Sequence, residues 1–455
     1  MKLNEKTRLE NAIALMSAFA RETGLLDDDT PPRRYLWTDA FAVCNFFELA
    51  RRTGENQYRE LALKLIGQVH DVLGRFHPDS GKRGWISGLD DEEAARHPTL
   101  GGLRIGKKLN ERGPDEAYDE ALEWDRDGQY FHYLTKWMHA LHVAHAQTGN
   151  ADFHRWAVEL ARVAVAAFSY RPAPGQPPRM FWKMRIDLSA PLVPSMGQHD
   201  PLDGLLTCLA LEQTTRALAR ISHHPSTATA QWHALTGFRS VGVLDIESAM
   251  PARSSVAKAT HAAPLNRLAT NRGEKCGLGV DGLTLKKEIT LLEEMCEGQQ
   301  WATADVLGIG GLLTDCWRLA KLQAGGIDSD ALELPALLED AARSMAALLQ
   351  QDPFRLPRQY RLAFRELGLA IGLAALPALE KLGAQDASAL AGDASVETLT
   401  QRLRRVEPLA ETIVAFWLQP DNRDYPGWRD HLDINRVMLA TSLTPDTFLE
   451  IPAAD

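Results

Sequence analysis

Apolar residues recur at i, i+3, i+4 and i+7 along nearly the whole 455-residue chain, with few alternating runs that could form central strands. The pattern predicts an all-α protein. Helices are expected near 36–52, 128–147, 200–220, 302–322, 358–382 and 430–444. The first five are each followed, after a short connection, by a second helix: 55–75, 151–169, 226–238, 332–350 and 394–418. An N-terminal helix over 5–24 supplies the sixth partner. The first set is the more apolar, as in "LGIGGLLTDCWRLAKL" and "ELGLAIGLAALPALEKL", and suits an inner layer that is hydrophobic nearly all round. Partners such as "DSDALELPALLEDAARSMAALLQ" are amphipathic and suit an outer layer.

An internal similarity supports the pairing. "ELARRTGENQYRELALKL" (Glu48 to Leu65) and "HVAHAQTGNADFHRWAVEL" (His142 to Leu160) both run a helix into Thr-Gly, three more residues, then an aromatic, a basic residue and an alanine: Tyr58, Arg59, Ala62 and Phe153, His154, Ala157. A glycine there suits a left-handed helix C-cap, so each pair reads as two antiparallel helices joined by a tight turn. Recurrence about 95 residues apart points to a repeat architecture.

In helix order and in this turn the chain resembles the six-hairpin glycosidase-like superfamily, whose members form an (α/α)6 toroid. The resemblance covers most of the chain without matching any one member residue by residue. It implies a single toroidal domain over 1–455, with long loops leading into the inner helices and lining a central cavity. Sugar hydrolases, epimerases, lyases and some non-sugar enzymes use that cavity. The stretch 237–300 breaks the pattern, and an irregular insertion of that length reads as a lid over the cavity or a mobile surface segment.

The residues leading into the inner helices are the place to look for chemistry. They read "YLWTD" (Trp37, Asp39), "WDRDGQYFH" (Trp124, Asp125, Asp127, Tyr130, His132), "GQHDPLDG" (Gln198, His199, Asp200, Asp203), "QQWATAD" (Trp301), "FRLPRQYR" (Arg358, Tyr360) and "YPGWRDHLDIN" (Trp428, His431, Asp433). Trp85, Trp182 and Arg185 lie on the long loops between. An Asp at a helix start is explained singly by capping of free backbone N–H groups. Capping does not call for tryptophans, Arg, Gln and His beside the acids at separate helix starts. An aromatic-lined concavity with a few polar groups is the usual form of a small-molecule site, and aromatic faces stack on the C–H faces of sugar rings.

Two mechanisms compete. Glycoside hydrolysis needs two carboxyl groups, one acid and one base or nucleophile. Asp127 and Asp200 are the leading pair, with Asp39 and Asp433 in reserve. A sugar epimerase or isomerase would instead use a histidine pair, His199 and His431. A non-catalytic helical scaffold for a protein partner is a third reading. The segment "LDDEEAARH" (Leu89 to His97) resembles the acidic diphosphate motif of isoprenoid cyclases only superficially. His132, His139, His142 and His145 cannot all face one way, so most of them are expected to be structural.

Composition narrows these classes. The formal charge of −10, from 50 basic and 60 acidic residues without long blocks of one sign, argues against a nucleic-acid partner. The N-terminus lacks an apolar signal core, and no run of about 18 apolar residues suggests a membrane span, so a cytoplasmic protein acting on a small molecule is expected. Five widely spaced cysteines form no CxxC pair and read as buried thiols. No metal, cofactor or nucleotide motif stands out.

Overall fold

The computed structural model describes residues 3–26, 29–195, 197–223, 283–385 and 394–451. It is mostly helical, as the periodicity predicts. The chain divides into two compact units: Met1–Thr214 with Leu285–Ala454, and Thr215–Thr284 with Asp455. The expected helix over 226–238, and the part of the expected lid from 237 to 282, lie outside the described residues; the amphipathic end of that segment is the helix Lys286–Cys296.

In chain order the helices are α1 (Glu5–Glu22), α2 (Leu36–Thr53), α3 (Asn56–Leu73), α4 (Asp91–Arg96), α5 (Glu120–Asp125), α6 (Phe131–Thr148), α7 (Ala151–Phe168), α8 (Asp200–His223), α9 (Lys286–Cys296), α10 (Val306–Ala324), α11 (Leu334–Gln351), α12 (Ala363–Ala374), α13 (Leu376–Gln385), α14 (Ala394–Arg404), α15 (Pro408–Leu418), α16 (Pro420–Arg423), α17 (Pro426–Arg429), α18 (Leu432–Leu443) and α19 (Asp446–Leu449). The two Thr-Gly turns form as the sequence predicts. Gly54 and Gly149 both adopt φ 73°, and their N–H groups bond Ala50 O and His145 O, turning α2 onto α3 and α6 onto α7. A side chain at positive φ would strain both turns. Tyr58 and Phe153, which follow the turns, are buried, and Ala62 and Ala157 are fully so.

Inner-helix contacts run in a closed cycle. α2 packs on α6, α10 on α12, α12 on α18, and α18 on α2. α6 meets α8 through Thr135 Oγ1 donating to Asp203 (2.5 Å), and α8 meets α10 through Arg318 donating to Asp203 and to Thr207 (both 2.7 Å). A second helix backs most of these: α3 behind α2, α7 behind α6, α11 behind α10, α15 behind α12 and α1 behind α18. Glycines let α10 and α12 come into backbone contact, since a Cβ at Gly310 would sit 2.3 Å from Gly368 O and one at Gly372 2.3 Å from Gly310 O. Any larger residue at these positions would push the two helices apart.

Three sequence expectations are refined. The helix over 358–382 starts only at Ala363, after a 3-10 turn at Arg358–Tyr360, and is interrupted at Ala375. Pro377 has no N–H with which to continue the ladder there. The stretch Ala363–Ala384 has the length and hydropathy of a membrane span, yet just over half of it is buried inside this unit. The helix over 394–418 breaks before Pro408 for the same reason as at Pro377. Short strands also form in the loops: β1 (Gln129–Tyr130), β2 (Ser169–Tyr170), β3 (Arg179–Met180), β4 (Lys183–Met184) and β5 (Pro191–Val193), in the orders β1-β4-β5 and β2-β3, all antiparallel.

The histidines of the α6 region are packed, as expected of most of them. His142 bonds Thr214 (2.8 Å), His139 bonds Phe448 O (2.8 Å), and Trp137 Nε1 donates to His70 Nε2 (3.1 Å). Burial lowers the pKa of His70, His139 and His154 to about 3. An unfolded chain would protonate them near the ordinary 6.5, so their neutral form supports folding above that pH and the support drains away as pH falls towards 3. Asp39 and Asp315, both raised to about 6, act in the opposite sense between 6 and the usual carboxylate range, but are fewer and less displaced. Tm is therefore expected to fall steadily from pH 6.5 to 4 in thermal melts; a flat profile would show that these histidines are not held neutral.

Candidate functional site

A cavity of about 320 Å³ opens among the inner helices, and all six contribute to its wall. Depth follows position along the helices. Trp37, His132 and Asp200 come from the first turns of α2, α6 and α8, while Phe41, Lys136 and Asp203 stand one turn further in. Thr314 and Asp315 of α10 lie deeper still, and Phe448 of α19 closes against Phe41 with ring centroids 4.3 Å apart. α19 is fixed there by His139 on Phe448 O and by Trp317 Nε1 donating to Leu449 O (2.7 Å). Gly311 is exposed in a helix whose other residues are buried or half-buried, with nothing within 4 Å of where its Cβ would be. It leaves volume that a side chain would fill.

Of the residues singled out in the sequence, Trp37, His132, Trp182, Gln198, His199, Asp200 and Asp203 line this cavity. Gln198 and His199 anchor the 300–302 loop: Gln198 donates to Gln300 O (3.0 Å) and Ala302 O (3.1 Å), and His199 Nε2 meets Trp301 O (2.7 Å). Trp301 is buried, its backbone N–H donating to Asp340 Oδ2 (2.6 Å). Asp200 is 6% exposed, with Oδ1 3.5 Å from His132 Nδ1. Neither Asp200 Oδ2 nor His132 Nδ1 has a hydrogen-bond partner. Buried polar atoms left without partners are uncommon and costly, and here the two belong to neighbouring side chains on the cavity wall.

Asp203 sits at the centre of a charged cluster. Lys136 Nζ (2.8 Å) and Thr135 bond its Oδ2, and Arg318 Nη1 (2.7 Å) its Oδ1. Burial alone would raise its pKa, but Lys136 and Arg318 hold it well below the ordinary carboxylate value. Asp315, 3.2 Å from the same Arg318 nitrogen, goes the other way: burial first, then the charge of Asp203, push it up to about 6. The cavity thus holds one carboxyl kept ionised and one that accepts a proton near neutral pH. Asp305 caps α10 by accepting from Gly308 N (2.9 Å) and pairs with Arg365.

The remaining candidates stand elsewhere. Asp127 is fully buried and fully used: it accepts from Arg104 (2.8 Å), Gly106 N and Gly128 N (both 3.0 Å), stapling one loop to another. Asp39 accepts from Tyr35 N (2.9 Å) in the first turn of α2, the capping role, and burial raises its pKa to about 6. Trp85 is buried, donating to Asp91 (2.7 Å) beneath the Arg75 guanidinium. Arg185 pairs with Glu111, and Asp433 with Arg33. Trp428 stacks on Trp417. Arg358 lies over Tyr425, Tyr360 and Asp125 are exposed, and His431 is exposed beside Phe364, so His199 and His431 do not share the cavity. Tyr130 is buried behind the wall, stacked on His132 and tilted against Trp182. Trp124 stands at the surface, edge-on to Trp182.

Sequence reasoning missed Lys136, Asp315 and Arg318 because they occur in mid-helix. The available signal was a charged pair, Asp315 and Arg318, one turn apart inside an apolar run. Among the described residues no cluster of three or more His, Cys, Asp or Glu could hold a metal, and Cys44, Cys208, Cys296 and Cys316 are buried thiols. Comparison of the chain with protein-family models, with curated proteins and with solved structures found no match.

Proposed function

We propose that the first unit is an (α/α)6 toroid and that its cavity is the active site of a carbohydrate-active enzyme, a glycoside hydrolase. The observation that carries this reading is one cavity lined by two tryptophans, Trp37 and Trp182, beside two carboxyl groups in different surroundings, Asp315 pushed up to about 6 and Asp200 next to His132. A carboxyl whose pKa burial raises is suited to act as the acid. The closed cycle of inner helices supports the architecture. Asp315, protonated below about 6, would give its proton to the glycosidic oxygen as the bond to the anomeric carbon breaks. Asp200, on the cavity wall beside His132, would take a proton from the water that attacks that carbon. Asp315 thus replaces Asp127 in the pair, because Asp127 has no oxygen free to react. Proton-transfer isomerisation keeps one supporting observation, since His132 and His199 line the same cavity.

The test is a thermal-shift screen against mono- and oligosaccharides, run on the protein and on Gly311→Leu, followed by product analysis. A ligand that binds only the folded state must raise Tm. Expected are a saccharide that raises Tm and yields shortened products, and a Gly311→Leu protein that folds but shows neither effect because its cavity is filled. An altered monosaccharide would replace hydrolysis by isomerisation. Saccharide binding undiminished in Gly311→Leu would place the site elsewhere.

A further inference from the structure

The cavity is small. Its volume of about 320 Å³ sits at the low end of the roughly 300–1,000 Å³ found for small-molecule sites, and the stacked Phe41 and Phe448 form part of its wall. A saccharide of several units cannot be housed entirely within it, so what does not fit must leave over the rim.

One direction is lined for that purpose. Trp182, on the cavity wall, is held from behind by Tyr130 with centroids 5.1 Å apart, and from outside by Trp124 at 4.8 Å and 72°. Trp124 is 49% exposed. A large indole left in water against a neighbour that lines a cavity is the kind of exposed apolar surface that marks binding. The rings therefore make a continuous aromatic surface from the cavity wall to the outside of the molecule, and the buried residue of α5 is Glu123 rather than Trp124.

We propose that the substrate is an oligosaccharide taken by its chain end: the terminal unit enters the cavity at Asp200, and the following units lie across Trp182 and Trp124, which act as outer sugar-binding positions. The inference rests on the carbohydrate reading and adds chain-end attack and a length requirement to it.

Malto-, cello-, xylo- and chito-oligosaccharides of two to six units test it, with the products followed over time. In the unaltered protein kcat/KM is expected to rise from two units to four, and single units to be released from one end. Trp124→Ala should lower kcat/KM about tenfold, roughly 1.4 kcal/mol, on four units and longer while changing cleavage of two units less than about twofold. Trp124→Phe should restore most of the loss. Equal loss at every length would make Trp124 a structural prop and overturn the proposal, as would internal cleavage or a rate indifferent to length. If none of these series is bound or cut by the unaltered protein, the carbohydrate reading falls and this inference with it; cleavage of short substrates with a silent Trp124→Ala overturns the inference alone.

Discussion

Asp200→Asn is expected to cut turnover by about 10²–10⁴-fold, the range for loss of a general acid or base, while leaving Tm unchanged. The substitution is isosteric, and Asp200 Oδ2 makes no hydrogen bond that the amide would forfeit. Because the contact to His132 is 3.5 Å, little of the fold depends on it. Steady-state kinetics beside a thermal melt decides the matter: a fully active Asp200→Asn protein removes Asp200 from the mechanism, and one that unfolds shows the residue to be structural. The same kinetics run against pH should show activity declining above about 6, where Asp315 loses the proton it is to donate.

The largest loss of stability is expected from Asp203→Ala. Arg318 and Asp203 are both under 10% exposed, and Lys136 and Thr135 bond the same carboxylate. Removing the acid takes from Arg318 and Lys136 the carboxylate they share, and leaves Arg318 only Asp315, at 3.2 Å on its own helix. Breaking a buried pair from one side costs about 3–5 kcal/mol, to be read from denaturant unfolding. The double variant Asp203→Ala with Arg318→Met is expected to be much less damaged than the two single changes together, because the buried guanidinium goes with its partner and only Lys136, on the cavity wall, loses its carboxylate. A loss below about 1 kcal/mol for Asp203→Ala would mean that the cluster is hydrated and adds little to the fold.

Elements set by local chemistry were readable in the chain. Thr53-Gly54 and Thr148-Gly149 announced two hairpins because a left-handed C-cap has one favoured residue. Helix interruptions at Pro377 and Pro408 were missed although the cause is equally local, since the apolar period continues through both. At the site, the first-turn residues Trp37, His132 and Asp200 were found because the mouth of the cavity coincides with the helix starts. Asp315 was not, because its importance depends on Asp203 arriving from a different helix. Asp127 was misplaced for the converse reason: an acid before a helix looks the same whether it faces a cavity or, as here, holds Arg104 and two backbone N–H groups.

The seating of Phe448 has a kinetic consequence. On the chain-end reading, with Phe448 of α19 against Phe41 in the cavity wall, the detached unit would leave by the path along which the substrate arrived. On the chain-end reading such an enzyme would be distributive: it would release the shortened chain to free the detached unit, and would bind afresh for every bond it breaks. The released unit would also compete with incoming chain ends for the same space, so product inhibition would set the pace late in the reaction.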